Sequence, residues 1–391
     1  MGTRRSPAEE RHLAITRCLA GEGPTAVAAS LGRSRQWVYK WLARRRTAGP
    51  DWAVERSRRP RARPLAVPAR VAAAVQLVRL ELYNEGLLCG AQNIRWRLEE
   101  LAVTPLPSLR TINRLLARHG LTHRRTGRYV PKGKWYPALA APTANAVHQL
   151  DYLGPCYLRG PVRFWSLNTV DVATARCATE PVSSRAGQAT VDAVWATWCR
   201  LGLPDAAQGD NEWAFMGSPA HPRAMGPLIR LCLAEGIEPW FIPPGEPWRN
   251  GIVEKFNDHY RSKFLARVAV ADFAALGPAS RAFEQRHNSR YRYVKLGGQT
   301  PLGALQREPR PLRFPRQERA PQVPLAKPEA GRYHLVRFIR SDRRLDVFGE
   351  RFRLPPEAEY EYVVATVDVE RQRLHVQLGA DPIAEFPYQL R

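Results

Sequence analysis

The sequence predicts a multidomain chain: N-terminal all-α helix-turn-helix units, a central α/β domain on a mixed sheet, and a C-terminal small all-β barrel. Three observations predict it. Helical periodicity punctuated by glycine dominates the first third. Strand and helix patterns alternate from about residue 145. Six short strand-like runs separated by turn residues fill 331–391. A length of 391 residues suits two or three domains. With 44% hydrophobic and 25% charged residues, the composition is globular and supplies real cores.

Residues 1–46 read as the first unit. EERHLAITRCLA (9–20) is helical up to the break at Gly21, Gly23 and Pro24, TAVAASLG (25–32) is a short helix closed by Gly32, and SRQWVYKWLARRR (34–46) follows with Ser34 as N-cap. Short helix, glycine turn and capped helix make the helix-turn-helix pattern. Val38, Trp41 and Leu42 form the apolar stripe of the last helix, leaving Arg35, Gln36, Tyr39 and Lys40 outward as groove-reading side chains, with Arg44, Arg45 and Arg46 continuing the basic run. A three-helix bundle with a basic face is the plainer alternative. Residues 47–68 are an Arg/Pro-rich linker whose Arg58 and Arg59 suit a minor groove or phosphate backbone. A second helix-turn-helix-like unit spans 69–125. Its last helix, PSLRTINRLLARHGL (107–121), is capped by Ser108, buries Leu109, Ile112, Leu115 and Leu116, and faces Arg110, Asn113, Arg114 and Arg118 outward.

From about residue 145 the pattern is three strands, helix, strand, helix, strand, helix, a mixed sheet with helices on its faces. A Pro-rich linker over 304–330 leads to the β segment, whose Arg332, Arg337, Arg343, Arg344, Arg351 and Arg353 suit a second DNA surface or solvated strand edges equally.

Charge narrows the function. The formal net charge is +24, and residues 1–140 hold 27 Lys and Arg against 9 Asp and Glu. Codon bias explains arginine over lysine but not its concentration at one end, so double-stranded DNA is the expected partner and a membrane the weaker one. No apolar run reaches the roughly 18 residues that suggest a membrane span, no signal core is apparent, and six scattered cysteines suit a reducing cytoplasm.

Three acids of the middle domain stand apart in this cationic chain: Asp151 in the first strand, Asp210 at the end of the fourth, and Glu254 on the helix after the fifth. Phosphodiester chemistry activates a nucleophile and stabilises a leaving alkoxide, and carboxylates are the hard-oxygen ligands that place divalent cations for both tasks. Asp171, Glu212, Glu246 and Asp258 compete for the same role. Trp248, Arg249 and Asn250 at the helix entrance suit a phosphate or an unpaired base, although Trp248 equally suits core packing, and Lys255 and Arg261 suit the DNA backbone. His148 reads as structural.

HQLDY (148–152), GDNEWAF (209–215) and PPGEPWRNGIVEKFN (243–257) resemble the three signature blocks of the retroviral-integrase superfamily. They are most similar to bacterial insertion-sequence transposases of the DDE type, around the insertion sequence 481 family. The resemblance covers about residues 145–303, closing with GGQTP, and the order of helical units, catalytic domain and β tail matches as well. It implies an RNase H-like core and Mg²⁺-dependent strand cleavage and strand transfer. Asp151, Asp210 and Glu254 become ligands of two Mg²⁺ ions, or Mn²⁺ in their place. It also implies at least a dimer on transposon ends and target DNA, in the bacterial cytoplasm and nucleoid. Two departures stand out: 43 residues separate Asp210 from Glu254, more than the motif's usual spacing, and no His/Cys zinc cluster precedes the core. The rivals are a non-catalytic, domesticated DNA-binding regulator and an RNase H-like nuclease without strand transfer.

Overall fold

In a computed structural model the described residues are 6–55, 67–122, 135–158, 162–217, 221, 223–308 and 310–391. They fall into two units, divided after residue 66.

The first unit holds α1 (Pro7–Leu19), α2 (Pro24–Ser30) and α3 (Arg35–Thr47). Ser6 and Glu9 form a reciprocal capping box on α1, and the Ser34 hydroxyl accepts the Trp37 N–H at 3.2 Å to start α3. Ile15, Trp41, Trp52 and Ala53 pack as its core. Arg11 is buried because its guanidinium has partners: the Ala53 carbonyl at 2.7 Å, Glu55 at 2.8 Å, and the Trp41 ring at 4.2 Å.

The second unit begins with α4 (Ala69–Asn84), α5 (Ala91–Glu100) and α6 (Leu109–Arg118). Val75, Ile94, Leu98, Ile112 and Leu115 share one core with Val253, Phe256 and Phe283 of later helices, so these helices dock on the α/β domain. Leu109, expected inside, is 37% exposed, because it stands in the first turn beside the Ser108 cap and beyond the packed stripe. The α/β region then runs β1 (Val147–Tyr157), β2 (Arg163–Asp171), β3 (Cys177–Val182), α7 (Gly187–Leu201), β4 (Ala206–Gly209), α8 (Trp213–Met216), α9 (Pro227–Ala234), β5 (Glu238–Phe241) and a 3₁₀ turn (Pro247–Asn250). It continues with α10 (Gly251–His259), a π-helical turn (Tyr260–Leu265), α11 (Phe273–Arg290) and α12 (Pro301–Leu305). The order matches the sequence pattern, with α8 added.

The C-terminal strands are β6 (Arg332–Phe338), β7 (Arg344–Val347), β8 (Glu350–Arg353), β9 (Tyr362–Asp368), β10 (Arg373–Leu378) and β11 (Asp381–Pro387). The expected closed barrel is not what they form. They extend the central sheet into nine strands ordered β11-β10-β9-β6-β5-β4-β1-β2-β3, with β7-β8 as a separate hairpin. The reason lies at two places. The otherwise open edge of β5 pairs in parallel with β6 through Trp240–His334 and Phe241–Leu335, and β9 is buried along its whole length, as a strand covered on both faces must be. The Pro-rich segment before β6 is held to the surface: the Gln188 side chain accepts the Val323 N–H at 2.7 Å, and Trp195 donates to the Gln317 carbonyl at 3.0 Å. No helix of the described residues is long and apolar enough to cross a membrane.

Candidate active site

β1 and β4 are parallel neighbours in which Gln149 faces Gln208. Side chains alternate along a strand, so Asp151 and Asp210, each two residues further on, emerge on the same face as the glutamines. Asp210 follows the carboxyl end of β4, where α/β sheets bind ligands, and Asp151 lies on β1 just past the stretch paired with β4.

The glutamines fasten the third element. The Gln149 Oε1 accepts the N–H groups of Ile252 at 3.0 Å and Val253 at 3.1 Å, capping α10 from a strand more than 100 residues away in sequence. The Gln208 amide donates to the Arg249 carbonyl at 3.0 Å and to Asn250 Oδ1 at 3.3 Å, and Asn250 Nδ2 donates to the Leu150 carbonyl at 2.9 Å. The start of α10 is thereby locked to the two strands that carry the aspartates, and Glu254 follows within its first turn.

Asp151 is held from the other side. Asn257, one turn after Glu254, donates to Asp151 Oδ2 at 2.6 Å. Asn168, cross-strand partner of Asp151, donates to Asn257 Oδ1 at 2.6 Å and accepts from the Ser166 hydroxyl at 2.8 Å. Ser166 and Asn168 are fully buried. This chain of bonds fixes one carboxylate oxygen of Asp151.

Burial raises the carboxyl groups of all three acids, with Arg185 acting in the opposite sense on Asp210. Burial, then the charges of Asp210, Glu212 and Glu254, push Asp151 up to about 7. Burial also raises Asp210, against the Glu212 N–H that it accepts at 3.0 Å, and raises Glu254, with Asp258 adding to the effect. Asp151, Gly154, Glu254, Lys255, Asn257 and Arg261 line an open cleft of about 710 Å³. Among the described residues no three His, Cys, Asp or Glu side chains stand close enough together to hold a metal ion.

The competing acids have other uses. Asp171 is a buried turn cap that accepts the N–H groups of Asn145, Ala173 and Thr174 and the Thr174 hydroxyl. Glu246 bonds Arg249 at 2.9 Å and the Tyr362 hydroxyl at 2.7 Å, and Glu212 pairs with Arg185 at 2.7 Å. Asp258 is exposed, 3.8 Å from Lys255, on the cleft wall. His148 is fully buried against Asn145 at 3.0 Å and pushed down to about 3, first by burial and then by Arg176.

Of the expected DNA contacts, Arg35, Gln36, Tyr39, Lys40, Arg45 and Arg46 are exposed on α3, and Arg110, Asn113, Arg114 and Arg118 on α6. Arg44 is half-buried, 4.8 Å over the Trp41 ring. Lys255 and Arg261 are exposed on the cleft wall and Trp248 is 40% exposed. Arg58 and Arg59 lie outside the described residues. Three expectations change. Asn250 is 2% exposed, its amide consumed by Leu150 and Gln208. The Arg249 guanidinium is taken up by Glu246, the Tyr362 hydroxyl and the Tyr136 ring 3.8 Å away. Arg337 is buried rather than outward. Gln149, Gln208, Asn257 and Asn168 escaped the sequence reading. The signal for the first two is a glutamine two residues before each aspartate, in QLD and QGD.

Residues 6–51 match the homeodomain-like domain family, and residues 235–301 match the integrase core domain. No curated protein matches the chain. Among solved structures, the integrase catalytic core domain of HTLV-2 in complex with magnesium, in its dimeric form, is 17% identical. That match covers 42% of this chain and 99% of that one, with a TM-score of 0.34. The simian T-cell lymphotropic virus intasome in complex with the PP2A regulatory subunit B56 gamma is 13% identical, covering 81% of this chain and 97% of that one, with a TM-score of 0.38. One chain thus carries a match to a homeodomain-like domain near its start and a match to an integrase core domain further on.

Proposed function

We propose that the protein is a DNA transposase or integrase that binds transposon ends and cuts and joins DNA strands through Asp151, Asp210 and Glu254. The observation that carries this reading is the paired placement of the two aspartates, two residues past the facing Gln149 and Gln208, with the Glu254 helix latched to those same glutamines. In α3, Arg35 and Gln36 are exposed near the helix start, where recognition helices meet base edges, and Arg45 and Arg46 are placed for phosphates. The exposed arginines of α6 suit a second segment of a long DNA site. Two DNA ends brought together call for at least a dimer.

The residues present fit a divalent cation by donor type, although no three of the described ones stand close enough together here to hold it. Hard carboxylate oxygens are the donors magnesium takes, and Asp151 is raised to about 7 first by burial and then by the charges of Asp210, Glu212 and Glu254, which a bound cation would offset. Asp151, Asp210 and Glu254 would hold two Mg²⁺ ions, or Mn²⁺, and what these supply when bound is activation of the attacking oxygen and neutralisation of the leaving one. The chain's own residues do the rest. Asn257 keeps one Asp151 oxygen oriented, the glutamines keep Glu254 at its height above the sheet, and Lys255 and Arg261 take phosphates along the cleft.

The test is strand transfer, with and without Mg²⁺, with oligonucleotides bearing whatever inverted repeats are found to flank the coding region. Joined products that need Mg²⁺ and vanish in Asp210→Asn are expected. Specific binding without cleavage would make the chain a regulator, and cleavage without joining a nuclease.

A further inference from the structure

The geometry points to the C-terminal strands as part of the catalytic scaffold: Arg337 on β6 and Tyr362 on β9 act as positioning residues for the segments that carry Asp210 and Glu254. The inference rests on the reading of those acids given above.

Arg337 is 8% exposed, and a buried guanidinium is tolerated only where its donors are used. Its Nη2 donates to Asn211 Oδ1 at 3.0 Å, Nη1 to the carbonyls of Val336 at 2.9 Å and Ile242 at 3.5 Å, and Nε to the Asp346 carbonyl at 3.3 Å. Asn211 follows Asp210 directly, and its own amide donates to the Ile242 carbonyl at 2.6 Å. One side chain from the C-terminal region thus closes a ring of bonds around the turn that presents Asp210. Burial lowers its pKa to about 10, so it stays charged at neutral pH.

Tyr362 does the same for the approach to α10. Its hydroxyl donates to Glu246 Oε1 at 2.7 Å and accepts from Arg249 Nη2 at 3.2 Å, while Arg249 Nε reaches Glu246 Oε2 at 2.9 Å. The Tyr136 ring lies edge-on to Tyr362 at 5.3 Å and under Arg249 at 3.8 Å. Arg249 lies one residue before Asn250, which joins Leu150 and Gln208. A shift of Tyr362 is therefore passed to the first turn of α10. Asp151 is held differently, through Asn257, Asn168 and Ser166, with no C-terminal residue in that chain. Two of the three acids lean on strands that follow the core in sequence; the third does not.

The experiment uses the full chain, with Arg337→Met, which keeps the apolar bulk and removes the donors, and Tyr362→Phe, which removes one hydroxyl. Mn²⁺ binding is titrated by calorimetry, kcat and KM for DNA cleavage are measured separately, and Tm reports folding. Arg337→Met is expected to weaken Mn²⁺ binding and lower kcat, by roughly 10–100-fold as for other residues that orient metal ligands, with KM unchanged. Tyr362→Phe is expected to shift both in the same direction by less, and it decides the matter alone if Arg337→Met does not fold. Folded variants that bind Mn²⁺ and turn over like wild type would overturn the inference. So would a raised KM with intact kcat, since that is a lost DNA surface. If wild type binds Mn²⁺ no better than Asp210→Asn, it is the reading of the carboxylates that fails.

Discussion

α3 and α10 are both short helices that follow a turn, yet they are started in opposite ways. The first N–H groups of α3 are met by Ser34, three residues from its partner Trp37. Those of α10 are met by Gln149, whose partners Ile252 and Val253 lie more than 100 residues away. α3 buries only Val38 and Trp41 and leaves all its charges but the half-buried Arg44 to solvent, whereas α10 buries Val253, Phe256, Asn257 and His259. On the function proposed above, α3 reads DNA and needs only to be stable and exposed, for which a local cap is sufficient. On that same proposal α10 must hold Glu254 in the frame of the sheet, and its cap does come from the sheet.

The sharpest break between the helices should come from the acids. Asp151→Asn or Glu254→Gln removes a carboxylate from the site, and several kcal/mol of charge stabilisation is at stake. Cleavage and joining with Mg²⁺ are expected to fall on the order of 10³-fold, while binding to the end sequence, assigned to α3 and α6, is unchanged in gel-shift titration. Equal loss of binding and cleavage would mean that the acids serve the fold instead.

Gln149→Leu tests the remote cap. It leaves the Ile252 and Val253 N–H groups without their acceptor in a part-buried setting, at a cost of about 1–3 kcal/mol. Because Glu254 rides on that turn, cleavage should fall roughly 10–100-fold. Full activity with lowered Tm would break the link between cap and acid.

The buried face of α10 also carries a pH dependence. Burial pushes His259 down to about 3 and His287, on the adjoining α11, to about 4. Their ordinary value is 6.5. Both stay neutral in the fold while the unfolded chain takes up protons below about 6.5, so the stability they contribute is complete above that pH and is lost as pH falls toward 4 and 3. In urea unfolding, wild type should lose stability between pH 7 and 4 relative to His287→Gln. A difference that does not move with pH would show that His287 is charged in the fold.

What was legible in the sequence follows the same division. Ser34, Ser108 and the glycine stops act over three or four residues, and the α/β order was visible because side-chain period changes with element type. Asp151, Asp210 and Glu254 were conspicuous as isolated acids in a cationic chain. Gln149 and Gln208 were not, because their roles depend on strand register and on a turn 41 and 103 residues away. The barrel failed for the same reason. YVVATVD reads alike in a small barrel and in the middle of a large sheet, and the pairing of β6 with β5 that decides between them is non-local. Arg337 looked outward on strand alternation alone; β6 is buried from Tyr333 to Arg337.

Ser34→Ala is the smallest test of the comparison and the cleanest, because a local cap has local consequences. Losing a serine N-cap costs about 1 kcal/mol, and here the hydroxyl serves the Trp37 N–H at 3.2 Å. The loss should fall on the unit containing α1, α2 and α3, read as faster amide exchange in α3 with exchange in α10 unchanged. Affinity for the end sequence should weaken only as far as α3 frays, since Arg35, Gln36 and Lys40 keep their side chains. Cleavage of bound DNA at saturation should match wild type, because nothing in the bonding that fixes Asp151, Asp210 or Glu254 passes through Ser34. If kcat fell with Ser34→Ala, the two helices would be coupled in the working complex, and the division between a locally capped reader and a sheet-capped catalytic helix would have to be abandoned.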